Sequence, residues 1–329
     1  MTSRKKPVPA RRKPTGAAAI SLAAALTVVL AVAGIWWGTH LSSPSGQEGP
    51  SAGALPSNTR MGAVELFTDE LAPMRWFYVD AVGLEVLSES SDTLVLGGDG
   101  EELLRIVRKD GLAADSPTGA GLYHSAILYP NVTSLADTLL RVATAAPQSY
   151  SGSADHAVSL AFYFSDPDGN GLELYTDTPE DSWVWKEGLV SMGSAPLDPN
   201  AFISQYAGAS PAQALPAMGH VHLRVGDLNL ARAFYADTLG FAVTAESDGA
   251  LFYAAGGYHH HVATNTWGSA GAVQRTPSQG LGSLAVHLGD VQGLEAVAMR
   301  LTNAGLDFVQ DSLGITVDDP WGNTVRLLA

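Results

Sequence analysis

The chain has 329 residues, is 46% hydrophobic and carries a formal net charge of −15. That length and apolar content suffice for two ordinary domains with real cores and exclude a disordered polypeptide, while the acidic balance disfavours nucleic acid, whose phosphates need a basic face. The chain has no cysteine and nine histidines, so disulfides, thiolate ligands and cysteine nucleophiles are excluded and a metal would be held by nitrogen and oxygen.

Residues 1–15 form a basic N-terminus: six of the 18 lysines and arginines lie in the first thirteen positions, and no acidic residue precedes Glu48. From 16 to 38 the chain is uncharged and largely apolar, about 34 Å long as a helix at about 1.5 Å per residue, against a bilayer core of about 30 Å. This segment reads as a transmembrane helix or uncleaved signal anchor. The basic end would stay in the cytoplasm, Trp36 and Trp37 would sit at the far interface, and the body would lie outside the cytoplasmic membrane. The alternative is a cleaved signal peptide, including a twin-arginine type at Arg11 and Arg12, with a secreted body. Residues 39–60, rich in Ser, Gly and Pro, read as a flexible linker.

The body is built from a repeat. FYVDAVGLEVLSES at 77–90 and FYADTLGFAVTAES at 234–247 are too alike for chance, and each follows a strand and a short helical pattern. Four units begin with comparable strands: GAVELFT from 62, YHSAILY from 123, GHVHLRV from 219 and GSLAVHL from 282. Helical spacing of apolar residues follows, clearest in SLADTLLRVATAA and GLEAVAMRLTNAG, and three short strands close each unit. The expected architecture is α+β: four βαβββ modules forming cupped mixed sheets, modules 1 and 2 at 61–180, a connector at 181–218, and modules 3 and 4 at 219–329.

The most informative stretch is DHAVSLAFYFSDPDGNGLELY at 155–175. Its DPDGN turn joins two alternating runs that read as antiparallel strands, with Glu173 on the second. A second copy, DDPWGNTVRLL at 318–328, places Arg326 where Glu173 stands. Registering the four first strands on the turn that follows each aligns Ala63, His124, His220 and Ser283, so only the middle two modules offer ligands. His222, two residues from His220 and on the same face of its strand, competes with it; alignment with His124 favours His220. Trp183 and Trp185 could wall an aromatic pocket or pack between domains.

Four βαβββ modules with DPDGN turns resemble the vicinal oxygen chelate superfamily, which includes glyoxalase I, bleomycin resistance proteins and extradiol ring-cleaving dioxygenases. The resemblance covers about 61–329. It is closest to the bacterial catechol 2,3-dioxygenase-like group, through GLYHSAIL, DHAVSLAFY, DPDGNGLELY, GHVHLRV and GYHHHVATNTW. It implies that modules 2 and 3 pair, and that His124, His220 and Glu173 form a two-histidine, one-carboxylate triad for Fe(II), with Mn(II) or Zn(II) as alternatives. Such a triad leaves coordination positions open for oxygen chemistry. The resemblance further implies that His260 steadies bound oxygen and shuttles protons, and that His156 and Tyr163 hydrogen-bond the substrate oxygens. Leu160 departs from the group, which usually has glutamate there, and removes a charge near the pocket. His259 and His261 read as packing and hydrogen bonding beside His260. The activity implied is extradiol cleavage of a catechol-like aromatic with O2. Alternatives are a glyoxalase-like lyase or isomerase, with His124, Glu173, His220 and His260 as a four-ligand set, and a non-catalytic protein that binds an aromatic ligand. A homo-oligomer stays open.

Overall fold

The structure, a computed structural model, describes residues 55–209 and 215–329. The apolar run at 16–38 and its membrane reading lie outside the described residues. Among those described, no helix is long and apolar enough to cross a membrane.

Each repeat folds as a strand, a helical segment and three strands. Module 1 comprises β1 (Arg60–Thr68), α1 (Leu71–Arg75) continued by a π-helical segment Trp76–Val82, β2 (Glu85–Glu89), β3 (Thr93–Gly98) and β4 (Glu101–Arg108). Module 2 comprises β5 (Gly121–Leu128), α2 (Val132–Ala145), β6 (Tyr150–Asp155), β7 (Ser159–Ser165) and β8 (Gly171–Asp177). Its connector carries β9 (Trp185–Lys186), β10 (Leu189–Val190), β11 (Ala195–Pro196) and α3 (Pro199–Tyr206). Module 3 comprises β12 (Ala217–Arg224), α4 (Leu228–Arg232) continued by a π-helical segment Ala233–Thr238, β13 (Ala242–Ser247), β14 (Ala250–Ala254) and β15 (Val262–Asn265). Module 4 comprises β16 (Gly280–His287), α5 (Val291–Ala304), β17 (Val309–Gln310), β18 (Gly314–Asp318) and β19 (Thr324–Leu328).

The first strands pair antiparallel, β5 with β12 and β1 with β16, and this fuses the modules into two sheets. One holds modules 2 and 3 in the order β11-β6-β7-β8-β5-β12-β15-β14-β13; the other holds modules 4 and 1 in the order β17-β18-β19-β16-β1-β4-β3-β2. The expected pairing of modules 2 and 3 is what the topology contains. The connector at 181–218 therefore joins two halves of one sheet rather than separating two domains, and β12 begins inside it at Ala217. The linker also ends before residue 60: Leu55 is buried and its N–H donates to Gly240 O at 3.2 Å.

Strand alternation sorts the side chains. On β7, Phe162 and Phe164 pack with Leu135, Leu139 and Val142 of α2 in the main core, and Leu160 lies against the same cluster. Ala161 and Tyr163 take the opposite face, with Ala126 and Tyr175. Helices thus cover one face of the sheet and leave the other to the cleft.

The repeated FY and DPxGN motifs meet in space. The Tyr78 hydroxyl donates to Asp166 Oδ2 at 2.9 Å, and the Tyr235 hydroxyl to Asp319 Oδ2 at 3.0 Å. Each aspartate also gathers its own turn: Asp166 Oδ1 accepts from the N–H of Asp168 and of Asn170, and Oδ2 from Asn170 Nδ2, while Asp319 does the same with Trp321 and Asn323. Module 1 is clamped to module 2, and module 3 to module 4, by the same buried bond. A second clamp explains the glycine of the repeat. Gly83 has φ +90°, and a Cβ there would lie 2.5 Å from Arg141 Nη2, which donates to Val82 O at 2.7 Å. Arg300 donates equivalently to Thr238 O and Leu239 O.

Burial pushes the Asp166 carboxyl up to about 6, with the Tyr78 and Asn170 hydrogen bonds pulling the other way. A folded pKa above the unfolded value of about 3.9 means that the contribution of this group is fully present below pH ~4 and is lost as pH rises through ~6. Tyr78→Phe removes one bond to the ionised form and should destabilise the fold by about 1–3 kcal/mol at pH 7, read as a lower urea midpoint; an unchanged midpoint would show that the clamp contributes nothing.

Candidate metal centre and its surroundings

The β8–β5–β12 ladder builds the site. Ala126 on β5 pairs with Glu173 on β8 and with His220 on β12, so the three occupy one row of the cleft face. Ala126 is the small floor between two functional side chains, and His124, two residues earlier, shares its face. The Nε2 atoms of His124 and His220 are 3.3 Å apart, and Glu173 Oε2 lies 3.1 Å from the first and 3.3 Å from the second. All three residues are buried.

These atoms suit a divalent ion. Donors held about 2.1 Å from one ion lie about 3.0 Å apart at right angles and about 3.4 Å apart at tetrahedral angles, and the three observed separations fall between. Two imidazoles and a carboxylate on one face leave the opposite positions open. The charge states match. Burial alone would protonate Glu173, but the neighbouring His220 and His124 hold its pKa well below the ordinary carboxylate range. Burial pushes His220 down to about 4, against the opposing pull of Glu173, so its imidazole is neutral at pH 7 with a lone pair to give. Among the described residues, this is the group of histidine and acidic side chains with donors close enough to share a metal.

His222 sits directly across the ladder from His124, yet its Nε2 is engaged elsewhere. Asn265 Oδ1 accepts from the Trp267 N–H at 3.1 Å, which turns Asn265 Nδ2 towards His222 Nε2 at 3.0 Å. The imidazole is therefore an acceptor there. Burial, reinforced by the neighbouring imidazoles, holds it neutral.

His260 lies in the turn between β14 and β15, its ring centroid 4.1 Å from that of His220. Its Nδ1 meets His259 Nδ1 at 2.7 Å, and His259 Nε2 meets Asp177 Oδ1 at 2.8 Å. His259 thus packs and hydrogen-bonds beside His260, as expected. His261 Nδ1 accepts from the Ala255 N–H. His156 and Tyr163 come together next to the triad: His156 Nε2 is 2.7 Å from the Tyr163 hydroxyl, and the Tyr163 and His124 rings are 5.7 Å apart. His156 Nδ1 lies 2.6 Å from Gly193 O, so that nitrogen carries the proton, and Nε2 accepts from Tyr163. Leu160 faces the helices rather than the cleft, so a charge there would not border the pocket; β-alternation from Tyr163 already implies this. Trp183 is buried with Val158, Val190 and Ala245, its ring 5.1 Å from that of His259.

Asn265 and Asp177 were not singled out from sequence. Their signal was weak, an asparagine closing GYHHHVATN and an aspartate four residues beyond Glu173 on the same strand face. In the other sheet the equivalent row reads Arg326 beside Ala285 on β16, with Ala63 and Ser283 in place of the histidines.

The family pattern described as Glyoxalase/Bleomycin resistance protein/Dioxygenase superfamily matches residues 217–327. Catechol-2,3-dioxygenase of Bacillus subtilis (strain 168) is 36% identical over 276 residues, covering 81% of this chain and 96% of that protein. Biphenyl-2,3-diol 1,2-dioxygenase 3 of Rhodococcus globerulus is 31% identical over 136 residues, 39% of this chain and 70% of that protein. Glyoxalase I from Zea mays matches in fold, with a TM-score of 0.51 at 16% identity over 82% of this chain and 92% of that one. By the extent of the Bacillus match and by its paired βαβββ modules, the chain belongs to the glyoxalase/bleomycin resistance protein/dioxygenase superfamily.

Proposed function

We propose that the chain is an extradiol-type dioxygenase that opens a catechol-like ring with O2, using Fe(II) held by His124, His220 and Glu173; Mn(II) and Zn(II) fit the same donors. The observation that carries this reading is the triangle of two imidazole nitrogens and one carboxylate oxygen on adjacent strands, 3.1 to 3.3 Å apart. The similarity to the two ring-cleaving relatives supports the reaction class.

When bound, the iron supplies the redox chemistry that links the diol to O2. The remaining work falls to side chains. Glu173 stays ionised and so offers a negative charge to offset a divalent ion. Tyr163 stays a phenol, because burial first and the Glu173 charge second hold its pKa well above the ordinary value; with its one proton directed to His156 Nε2, its oxygen can accept from a diol hydroxyl. His156, fixed by Gly193, keeps a lone pair on Nε2 that takes a proton through that hydroxyl. Burial and the surrounding imidazoles hold His260 neutral, so the ring keeps a lone pair that can meet a proton from a bound diol. Tyr123, His222 and Trp267 form an edge-to-face cluster at 5.0 to 5.7 Å and offer flat surfaces to an aromatic ring. The lyase reading would recruit His260 as a fourth ligand, whereas the described donor atoms close enough to share one ion come from His124, Glu173 and His220.

Two experiments check the proposal. Glu173→Ala and His220→Ala should each weaken Fe(II) retention by more than about 100-fold with the circular-dichroism spectrum preserved, while His222→Ala retains the metal; metal analysis after anaerobic loading decides, and loss in His222→Ala without loss in His220→Ala would reassign the ligand. The Fe(II)-loaded chain mixed with catechol and O2 should consume oxygen and form a yellow ring-opened product. Bound iron with neither signal would move the assignment to another substrate or to a lyase.

A further inference from the structure

The two nitrogens of His260 are not equivalent. Asp177 closes β8, on the same strand face as Glu173, and its carboxylate accepts two bonds. Oδ1 faces His259 Nε2 at 2.8 Å, and Oδ2 takes the Tyr258 hydroxyl at 3.0 Å; the Tyr258 hydroxyl also meets that of Tyr175 at 2.8 Å. An ionised carboxylate can only accept, so His259 Nε2 carries a proton. His259 is fully buried and held between the Tyr258 ring at 4.1 Å and the Trp183 ring at 5.1 Å. In its neutral form that imidazole presents an Nδ1 lone pair to His260 Nδ1 at 2.7 Å. Two lone pairs at that distance repel, so the proton between them belongs to His260. The lone pair of His260 is thereby left on Nε2, which makes no hydrogen bond to any described residue.

We propose that Asp177 and His259 are positioning residues that lock His260 in the Nδ1–H tautomer and so reserve its Nε2 as the basic atom of the cleft. The carboxylate orients the first imidazole, and the first imidazole orients the second. This rests on the dioxygenase reading only for its purpose; the tautomer itself is a property of the chain without metal or substrate.

The test is the ring-nitrogen spectrum of the full chain labelled with 15N-histidine, free of metal, in which protonated and unprotonated imidazole nitrogens are resolved and His260→Gln identifies the His260 signals. The wild type should show His260 protonated at Nδ1 alone. His259→Leu and Asp177→Ala should each convert it to a mixture or to Nε2–H, whereas His259→Asn, whose Oδ1 falls near the former Nδ1, should restore the Nδ1–H form. A wild-type His260 carrying its proton on Nε2 overturns the proposal whatever the variants do, as does a tautomer that His259→Leu leaves unchanged. In the iron-loaded enzyme, kcat should fall about tenfold or more in His259→Leu at unchanged KM and recover in part in His259→Asn. A wild type with the Nδ1–H tautomer but no oxygen uptake with catechol would move the assignment to another substrate or to a lyase and leave the lock standing.

Discussion

The antiparallel pairing of β5 with β12 is the constraint on which the cleft depends. That ladder places Ala126 opposite His220 and, through the parallel β5–β8 pairing, beside Glu173. A slip of one residue would turn His124 or His220 towards the helices and dismantle the donor set. The register is held from both sides: the helix-facing residues of β5 and β12, Leu122, Ile127, Val221 and Leu223, are buried in the main core. Hydrophobic packing on one face thus specifies the spacing of polar atoms on the other.

That polar face is costly. It buries a carboxylate and several imidazoles, which proteins tolerate only when their hydrogen-bonding capacity is met. Here each ring outside the donor set has a defined partner: His222 has Asn265, His259 has Asp177, His260 has His259, and His156 has both Gly193 and Tyr163. The donor set itself is left with atoms facing one another, the arrangement in which a cation best relieves the crowding of negative charge and lone pairs. Preorganisation and instability are thus the same feature viewed with and without the ion.

Much of this was legible in the chain. The FY repeat and the DPxGN turns announce the modules, and the positions of His124, His220 and Glu173 within them are enough to select the sheet that carries the donors. What eluded the sequence was relational. Asp166 reads as a turn residue, but its role is to receive Tyr78 from another module. His220 and His222 differ by two positions on one face, so periodicity cannot separate them; in the fold, the amide of Asn265 engages His222 Nε2, while His220 Nε2 lies beside Glu173. Leu160 is read correctly only once Tyr163 is assigned to the cleft face. The connector looks like a domain boundary because it lacks the repeat, yet its Gly193 holds His156 and its Trp183 backs His259.

The clamps and the sheets link different partners: tyrosine–aspartate bonds join module 1 to 2 and 3 to 4, while strand pairing joins 2 to 3 and 4 to 1. The modules therefore form a closed cycle. Closing the sheet of modules 2 and 3 needs contact between neighbours in the chain, whereas the other sheet forms only when β1 finds β16, more than two hundred residues away. Loop-closure entropy and contact order both delay that last joint, so the expected order of assembly completes the donor-bearing sheet first and leaves the sheet without donors to seal the ring.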